Sequence, residues 1–244
     1  MRVMTLRRRI ALLTVIGVLC AGTIAVVAGV LGGATGTGSA GVADSTAGSA
    51  ATGSPADGSA VVAFYGDSYT RGTGASSRAA RWSTIVCAER GWTEVNPSTN
   101  GLGFVNNRAN LPGPDLVDQV IKAQPDIVIS TMGLNDNFVM PGRADDVRAA
   151  IDTDFTELKK ALPHTRFIIV EPFWYTDERP ESVERIIGWV RDAAVAIDAD
   201  YIPGASHWMD GHPEWKAADN LHPNDVGYRE IAVRMDAELA KLGL

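Results

Sequence analysis

The sequence is poor in cysteine, with only two among its 244 residues. Cys20 lies in the N-terminal region, and Cys87 is the only cysteine between residues 60 and 244, so a disulfide within that part is excluded. Its folding must therefore depend on a hydrophobic core. Cys87 follows the apolar residues Ile85 and Val86, and this helical pattern predicts a buried, unreactive thiol.

Basic residues are also in short supply, and the whole chain has a net charge of −7. Four of its 22 basic residues are arginines within the first nine positions. Without them, and without Asp44 and Asp57 among the 29 acidic residues, residues 60–244 retain 18 basic and 27 acidic residues, a net charge of −9. Nucleic-acid binding depends on lysine and arginine contacts to phosphates, so this balance argues against a nucleic-acid partner.

Charge is absent altogether between residues 10 and 42, and residues 10–31 are mostly Ala, Val, Leu and Ile. A helix over 10–31 would be about 33 Å long, enough to cross a hydrocarbon core of about 30 Å. The arginines before it favour a cytoplasmic N-terminus. We interpret residues 1–31 as a signal peptide or an uncleaved signal anchor, and the length of the run favours the anchor. Leu19 stands before Cys20 where a lipoprotein signal needs a small residue, which disfavours lipidation.

Residues 32–59 consist almost entirely of Gly, Ala, Ser and Thr. Such a segment cannot bury enough apolar surface to offset the entropy of ordering it, so it predicts a disordered linker. Residues 60–244 then form one domain, which the N-terminal segment places outside the cytoplasm. A domain of this size buries about 70% of the surface of its unfolded chain, which suffices for a sizeable core.

Apolar segments that end at turn residues alternate with amphipathic patterns along this domain. Strands are predicted at 60–65, 93–96, 125–132, 166–171 and 200–202, and helices at 81–90, 116–123, 147–162, 183–197 and 228–242. This alternation predicts an α/β fold with helices on both faces of a parallel sheet. In such sheets ligands bind beyond the carboxyl ends of the strands.

Ser68 directly follows the first predicted strand, in the sequence Gly66-Asp67-Ser68. A turn at a strand end exposes a serine, and a helix beginning there would favour negative charge nearby. A serine hydroxyl becomes an effective nucleophile only when a base removes its proton. Taken alone, the tripeptide is also typical of an ordinary turn with a helix cap.

The base would be a histidine oriented by a carboxylate. His222 lies in the segment Asp219-Asn-Leu-His222-Pro223, just ahead of the last predicted helix. The Asp219 carboxylate can turn back to the Nδ1–H of the imidazole and leave Nε2 free for the serine. Taken alone, this motif is equally typical of a surface loop whose aspartate caps a turn.

Two other strand ends carry candidate donors to an oxyanion. In the segment 133–136 after the third strand, the side-chain amide of Asn135 can point into the crevice. In the segment 100–103 after the second strand, Gly101 or Gly103 lets a backbone N–H approach a substrate oxygen closely. Asparagine and glycine are also common turn residues, which is the competing interpretation.

Together these motifs resemble the sequence blocks of the SGNH hydrolase superfamily, also called GDSL-like esterases or lipases. The nucleophile block Gly-Asp-Ser ends at Ser68, the glycine block follows, Gly-x-Asn-Asp contains Asn135, and Asp-x-x-His joins Asp219 to His222. All four blocks occur in the family's order. They span essentially the whole domain, from Phe64 to the C-terminus.

The resemblance implies a flavodoxin-like, three-layer α/β/α sandwich with about five parallel strands. It also implies ester hydrolysis without a metal or an organic cofactor. Ser68, His222 and Asp219 would form the catalytic triad. The oxyanion hole would comprise the Ser68 amide, the Gly101 amide and the Asn135 side chain.

Several residues of these blocks have roles that the motifs alone do not decide. The glycine block is loose, so the choice between Gly101 and Gly103 stays open, with Gly101 preferred. Tyr69 stands where many family members have leucine and gives little information on the substrate. Asp67 and Asp136 are predicted to hold turns by accepting bonds from backbone N–H groups.

The loop before His222 and the aromatic residues near it each have two interpretations. His207, His212 and Glu214 have a spacing that permits a metal site, although a wall of the substrate pocket is the preferred interpretation. The aromatic residues either line a crevice for a sugar or an acyl chain, or pack beneath loops. They are Phe173, Trp174, Tyr175, Trp208 and Trp215.

The predicted function is that of an extracytoplasmic serine esterase acting on carboxylic esters. Short acyl or acetyl esters of carbohydrates or small lipids are the expected substrates, because the sequence shows no insertion large enough for a lid. Two alternatives stay open. One is an acyltransferase that modifies cell-envelope polysaccharide with the same triad, since pocket shape sets the acceptor. The other is a non-catalytic binding module on a tether.

Overall fold

The computed structural model describes residues 58–244, so the predicted signal or anchor segment 1–31 and residues 32–57 of the predicted linker lie outside the described residues. Within the described part, five parallel strands form one sheet in the order β2-β1-β3-β4-β5. The strands are β1 (Val61–Tyr65), β2 (Thr93–Val95), β3 (Ile127–Ser130), β4 (Arg166–Val170) and β5 (Asp200–Ile202). This is the flavodoxin-like strand order, which confirms the predicted fold class.

Helices cover both faces of the sheet. They are α1 (Ser68–Arg71), α2 (Trp82–Arg90), α3 (Leu116–Ala123), α4 (Ala144–Ala161), α5 (Glu181–Ala196) and α6 (Asp225–Lys241). Helices α2 and α6 pack on one face, and α3, α4 and α5 pack on the other. Between residues 58 and 244, no helix is both long and apolar enough to cross a membrane.

Successive side chains of the inner strands enter different cores. Phe64 and Ile129 pack with α2 and α6, whereas Tyr65 and Val128 pack with the helices of the opposite face. Side chains alternate between the two faces of a strand, and both faces are covered here. This explains why the strands are continuously apolar in sequence rather than alternating apolar and polar.

The crevice of this fold lies above the carboxyl ends of β1 and β3. The chain leaves β1 towards α2 on one face of the sheet and leaves β3 towards α4 on the other. The two connections therefore diverge and leave space between them, which is where ligands bind in open α/β sheets. The segments that follow these two strands carry Ser68 and Asn135.

Helices α4 and α6 each begin three residues earlier than their apolar spacing predicts. The side chain of Asn224 caps α6 by accepting bonds from the amides of Val226 and Gly227 at 3.0 and 3.1 Å. Helix α4 has Asp145 and Asp146 in its first turn, where acidic groups are stabilised by the helix dipole. Apolar spacing detects only turns that face the core, so it misses polar first turns.

Cys87 lies on the buried face of α2, with 3% of its surface exposed. Burial raises the pKa of its thiol to about 12. The thiolate is the reactive form of cysteine, so this environment confirms the prediction of a buried, unreactive side chain.

Candidate active site

Ser68 begins α1 directly after the turn that ends β1. Asp67 caps this short helix, and its Oδ1 accepts a bond from the amide of Tyr69 at 3.0 Å. A Cβ on Gly66 would lie only 2.7 Å from Thr131 Oγ1 and 2.8 Å from the Thr70 side chain. Glycine is therefore required at this position, because the turn that carries the serine packs directly against the end of β3.

Asp219 and His222 form a short, well-supported pair in the loop before α6. The Nδ1 atom of His222 lies 2.6 Å from Asp219 Oδ2, while Asp219 Oδ1 accepts bonds from the amides of Leu221 and His222 at 3.0 Å each. Partial burial raises the pKa of Asp219, but the bonds from His222 and Leu221 lower it more, so the net pKa lies below the ordinary value. The carboxylate is thus held ionised beside the imidazole.

Tyr69 ties this histidine loop to the helix that begins with Ser68. Its hydroxyl donates to the carbonyl oxygen of Leu221 at 2.6 Å, and its ring centroid lies 6.0 Å from that of His222. The side chain is fully buried and stacks on Phe173. The motif around Tyr69 does not predict this contact, because it joins residues 152 positions apart in the chain.

A second close approach reinforces this connection. Gly74, just after α1, has φ +94°, and a Cβ there would lie 2.5 Å from the carbonyl oxygen of Pro223 and 3.2 Å from the Cβ of His222. The histidine loop therefore packs against the segment after α1. Among the residues that the structure describes, no hydrogen bond joins the Ser68 hydroxyl to His222. In unliganded enzymes such bonds are often long and tighten when substrate binds.

Asn135 lies between the serine turn and the loop after β2. Its Nδ2 donates to the carbonyl oxygen of Leu102 at 2.9 Å and to Asp67 Oδ2 at 3.3 Å. The side chain is 6% exposed and follows β3 on a short 3-10 helix. A substrate oxygen could replace the longer of these two bonds, the one to Asp67, without disturbing the anchor on Leu102.

The two candidate glycines differ in what their amides do. The amide of Gly103 already donates to the carbonyl oxygen of Asn106 at 2.9 Å. Over residues 58–244 the amide of Gly101 makes no hydrogen bond, and its carbonyl oxygen is fixed by the side-chain amides of Asn106 and Asn107 at 2.9 Å each. This geometry favours Gly101 as a donor to substrate.

Gly103 instead makes room for the buried carboxylate of Asp136. A Cβ on Gly103 would lie 2.5 Å from that carboxylate, which accepts bonds from the amides of Phe104, Val105 and Asn106 at 2.7 to 3.1 Å. Burial raises the pKa of Asp136, although the amides oppose the shift. The prediction that this aspartate holds a turn is confirmed.

Asp67 is also confirmed in its turn-holding role, through its bond from the Tyr69 amide. It is 1% exposed, and burial raises its pKa to about 7, against the bond from Tyr69. Asp67 therefore contacts both the serine turn and the side chain of Asn135, and its pKa lies near neutral pH.

Comparison with known proteins identifies the family of this chain. Residues 64–230 match the model of the GDSL-like Lipase/Acylhydrolase family. The chain belongs to this family. The match covers the serine turn, the asparagine segment and the histidine loop, and it confirms the resemblance seen in the sequence. The protein is accordingly a carboxylic ester hydrolase of the GDSL-like type.

The single proteins that resemble this chain are related to it only distantly in sequence. The chain is 28% identical over 182 residues to the GDSL lipase Rv0518 of Mycobacterium tuberculosis, covering 70% of this chain and 78% of the relative. It resembles the psychrotrophic esterase EstA from Pseudoalteromonas sp. with a TM-score of 0.57 and 15% identity, over 75% of this chain and 97% of that one. It resembles a family two carbohydrate esterase from Clostridium thermocellum with a TM-score of 0.59 and 16% identity, over 75% and 65% of the two chains. At these identities, the two structures show a shared fold.

The loop before the histidine loop of this GDSL-like hydrolase contains separate polar pairs. His207 Nδ1 lies 2.8 Å from Asp210, whose carboxylate is also held by Arg179 at 2.5 and 2.6 Å. His212 Nδ1 lies 2.8 Å from Glu214, and its ring stacks on a tryptophan. Within residues 58–244, no group of three or more His, Cys, Asp or Glu side chains is arranged to hold a metal ion.

Three of the five aromatic residues considered as crevice walls belong to the core. Phe173, Trp174 and Trp208 are between 1% and 8% exposed and pack against the α2 and α6 face. Tyr175 and Trp215 are only partly buried and pack at the edge of the same core. For the three buried residues, the packing interpretation is therefore correct.

Proposed function

We propose that this protein is an extracytoplasmic serine esterase in which Ser68, His222 and Asp219 act as the catalytic triad. The observation that supports this most strongly is the pair of contacts at His222. Its Nδ1 is bound by Asp219 at 2.6 Å, and its loop is bound to the serine-bearing helix by Tyr69. The proposed base is thus oriented by a carboxylate, and its loop is tied to the helix that begins with the proposed nucleophile.

In the proposed mechanism, the bond to Asp219 directs Nδ1–H inward and leaves Nε2 as the proton acceptor. His222 takes the proton of the Ser68 hydroxyl as the oxygen attacks the ester carbonyl. It then gives that proton to the departing alcohol. Water, deprotonated by the same imidazole, attacks the acyl-serine and releases the acid. Asp219 stabilises the imidazolium in both halves.

The negative charge on the carbonyl oxygen would be stabilised by the amides of Ser68 and Gly101 and by Asn135 Nδ2. A donor of this kind contributes about 2.7–4 kcal/mol to lowering the barrier. All three groups belong to segments that the bonds of Asn135 to Leu102 and Asp67 hold together.

Short acyl or acetyl esters of carbohydrates or small lipids are the proposed substrates. A carbohydrate esterase is among the proteins that share the fold, which supports esters of sugars. The apolar N-terminal segment supports a location outside the cytoplasm, where polysaccharide esters are exposed to solvent. Long-chain triacylglycerol as the preferred substrate, without activity on acetyl esters, would contradict this assignment.

The test is hydrolysis of p-nitrophenyl acetate by the purified full chain and by Ser68→Ala. Ser68→Ala should lose about 10⁴-fold or more in kcat, as expected for a triad nucleophile. Ser98→Ala is the matched control, since Ser98 is equally buried and its hydroxyl has no hydrogen-bond partner in the described part of the chain. Equal activity in all three proteins would refute the assignment of Ser68. If the wild type hydrolyses no ester but transfers the acyl group to a sugar, the protein is a transferase.

A further inference from the structure

A basic pocket lies beside α1 at the β2 edge of the sheet, with a volume of about 360 Å³. Its walls include three arginines, Arg71, Arg78 and Arg81, together with Ser77 and Asn96. A concentration of positive charge is unexpected in a domain that carries 27 acidic and 18 basic residues. The charge of the pocket therefore depends on which of the three guanidinium groups are paired with a carboxylate.

Only one of the three arginines is neutralised. Arg81 is 7% exposed and pairs with Glu94 at 2.8 Å, and it also donates to Thr84. Arg71 and Arg78 are exposed, and neither forms an ion pair within residues 58–244. Arg71 makes only one long bond, from its Nη1 to the carbonyl oxygen of Ser98 at 3.4 Å. The pocket thus presents two uncompensated guanidinium groups.

The pocket lies beside the last turn of the helix that begins with Ser68. Arg71 lies three residues after Ser68 on α1, and residues at this spacing on a helix are neighbours about 5–6 Å apart at Cβ. Asn96 Nδ2 donates to the carbonyl oxygen of Thr70, and Arg81 donates to that of Arg71. Both bonds fix the end of the helix that begins with the serine. A group bound in the pocket would therefore lie close to an ester at Ser68.

We propose that this pocket binds a phosphate group carried by the ester substrate, so that the enzyme prefers anionic esters to neutral ones. Guanidinium groups bind phosphate through paired, charge-assisted hydrogen bonds, and two of them match its charge and its several oxygens. The proposal rests on the proposed esterase function, since the pocket would orient the substrate for attack by Ser68. It assigns Arg71 and Arg78 to substrate binding rather than to bond cleavage.

The experiment compares two matched substrates, 1-acetylglycerol 3-phosphate and 1-acetylglycerol, with the full chain. The readout is the ratio of kcat/KM for the phosphorylated ester to that for the neutral ester. Arg71→Gln and Arg78→Gln should each lower this ratio about 3–10-fold, the range expected for partly exposed charged hydrogen bonds. High salt should lower it in the wild type. Arg148→Gln is the control, because it removes an exposed arginine on α4 and should leave the ratio unchanged.

Two further arms separate the sources of the phosphate. The same ratio is measured for 1-palmitoylglycerol 3-phosphate against 1-palmitoylglycerol. If Arg71→Gln and Arg78→Gln lower the ratio for this pair but not for the acetyl pair, the ligand is a lipid headgroup, and the pocket is still supported. If neither arginine substitution changes the ratio for either pair of esters, the proposal is overturned. This holds even if inorganic phosphate raises the Tm of the wild type.

Failure of the esterase function gives a different result. In that case no ester is cleaved by the wild type, whatever its charge, and Ser68→Ala changes nothing. The pocket is then tested by binding alone. A Tm increase with inorganic phosphate that is lost in Arg71→Gln and Arg78→Gln but kept in Arg148→Gln supports an anion site, and its absence in the wild type refutes one.

Discussion

Replacing Tyr69 by phenylalanine tests whether this residue positions His222, the proposed catalytic base. The change removes the 2.6 Å bond from the Tyr69 hydroxyl to the carbonyl oxygen of Leu221 and keeps the ring in the core. A net loss of about 1 kcal/mol in the free energy of unfolding is expected for one such hydrogen bond. For a domain of this size that loss lowers Tm by about 2–4 °C.

Tyr228→Phe provides a matched control for this loss of stability. The Tyr228 hydroxyl is part of an equally buried side chain and donates to the carbonyl oxygen of Thr73 at 2.7 Å. It ties α6 to the segment after α1, and within residues 58–244 it makes no hydrogen bond to the loop of His222. Both substitutions should therefore lower Tm by similar amounts, and only Tyr69→Phe should also misplace the imidazole.

The assay is thermal unfolding of each variant together with steady-state hydrolysis of p-nitrophenyl acetate. We expect Tyr69→Phe to reduce kcat about tenfold with little change in KM, because in the proposed mechanism His222 acts on the reacting atoms rather than on substrate binding. Tyr228→Phe should leave kcat within about twofold of the wild type. Equal kcat values in the two variants would refute a positioning role for Tyr69 and leave it a packing residue.

The remaining predictions concern the triad, the oxyanion donor and the response to pH. Asp219→Asn should lower kcat by up to about 10⁴-fold while folding is kept, since an amide at 2.6 Å from Nδ1 favours the wrong imidazole tautomer; an unchanged kcat would exclude Asp219 from the triad. Asn135→Ala should lower kcat about 10²–10³-fold, measured beside Asn137→Ala, whose side chain bonds to Ser182 away from the serine turn. Equal kcat values in these two variants would contradict an oxyanion role. The folded state raises the pKa of Asp67 from about 3.8 to about 7, so the proton is held more tightly in the folded than in the unfolded chain. The stability of the wild type relative to Asp67→Asn should therefore be highest below about pH 4 and fall as the pH rises to about 7. Urea unfolding at a series of pH values measures this difference, and a flat difference would show that the pKa of Asp67 is the same in the folded and unfolded chains.

Much of the fold could be predicted from the sequence because strands that are buried on both faces of a sheet are continuously apolar. The continuous apolar segments at β1, β3 and β4 identified the inner strands, and the turn residues after them identified the carboxyl edge. The spacing of apolar residues located α2 to α6, although α4 and α6 begin earlier than predicted. Capping and polar first turns contribute no apolar signal, so their boundaries depend on hydrogen bonds.

The candidate site was less completely predictable. Ser68, Asn135, Asp219 and His222 could be selected because each lies in a short motif at a strand end or in the last loop. The choice between Gly101 and Gly103 could not be made, because both are glycines within three positions. It depends on which amide is already bonded and on the space that the carboxylate of Asp136 occupies.

By itself, then, the sequence determined the alternation of strands and helices, the order of the motifs, the acidity of the domain and the absence of a disulfide within it. These properties depend on residue type and on spacing along the chain. Only the tertiary structure determined that Tyr69 holds the loop of His222, that Phe173 is core, and that Arg71 and Arg78 share a pocket. Such contacts join segments far apart in the chain or depend on which charges are already paired, and neither property is recorded in local sequence.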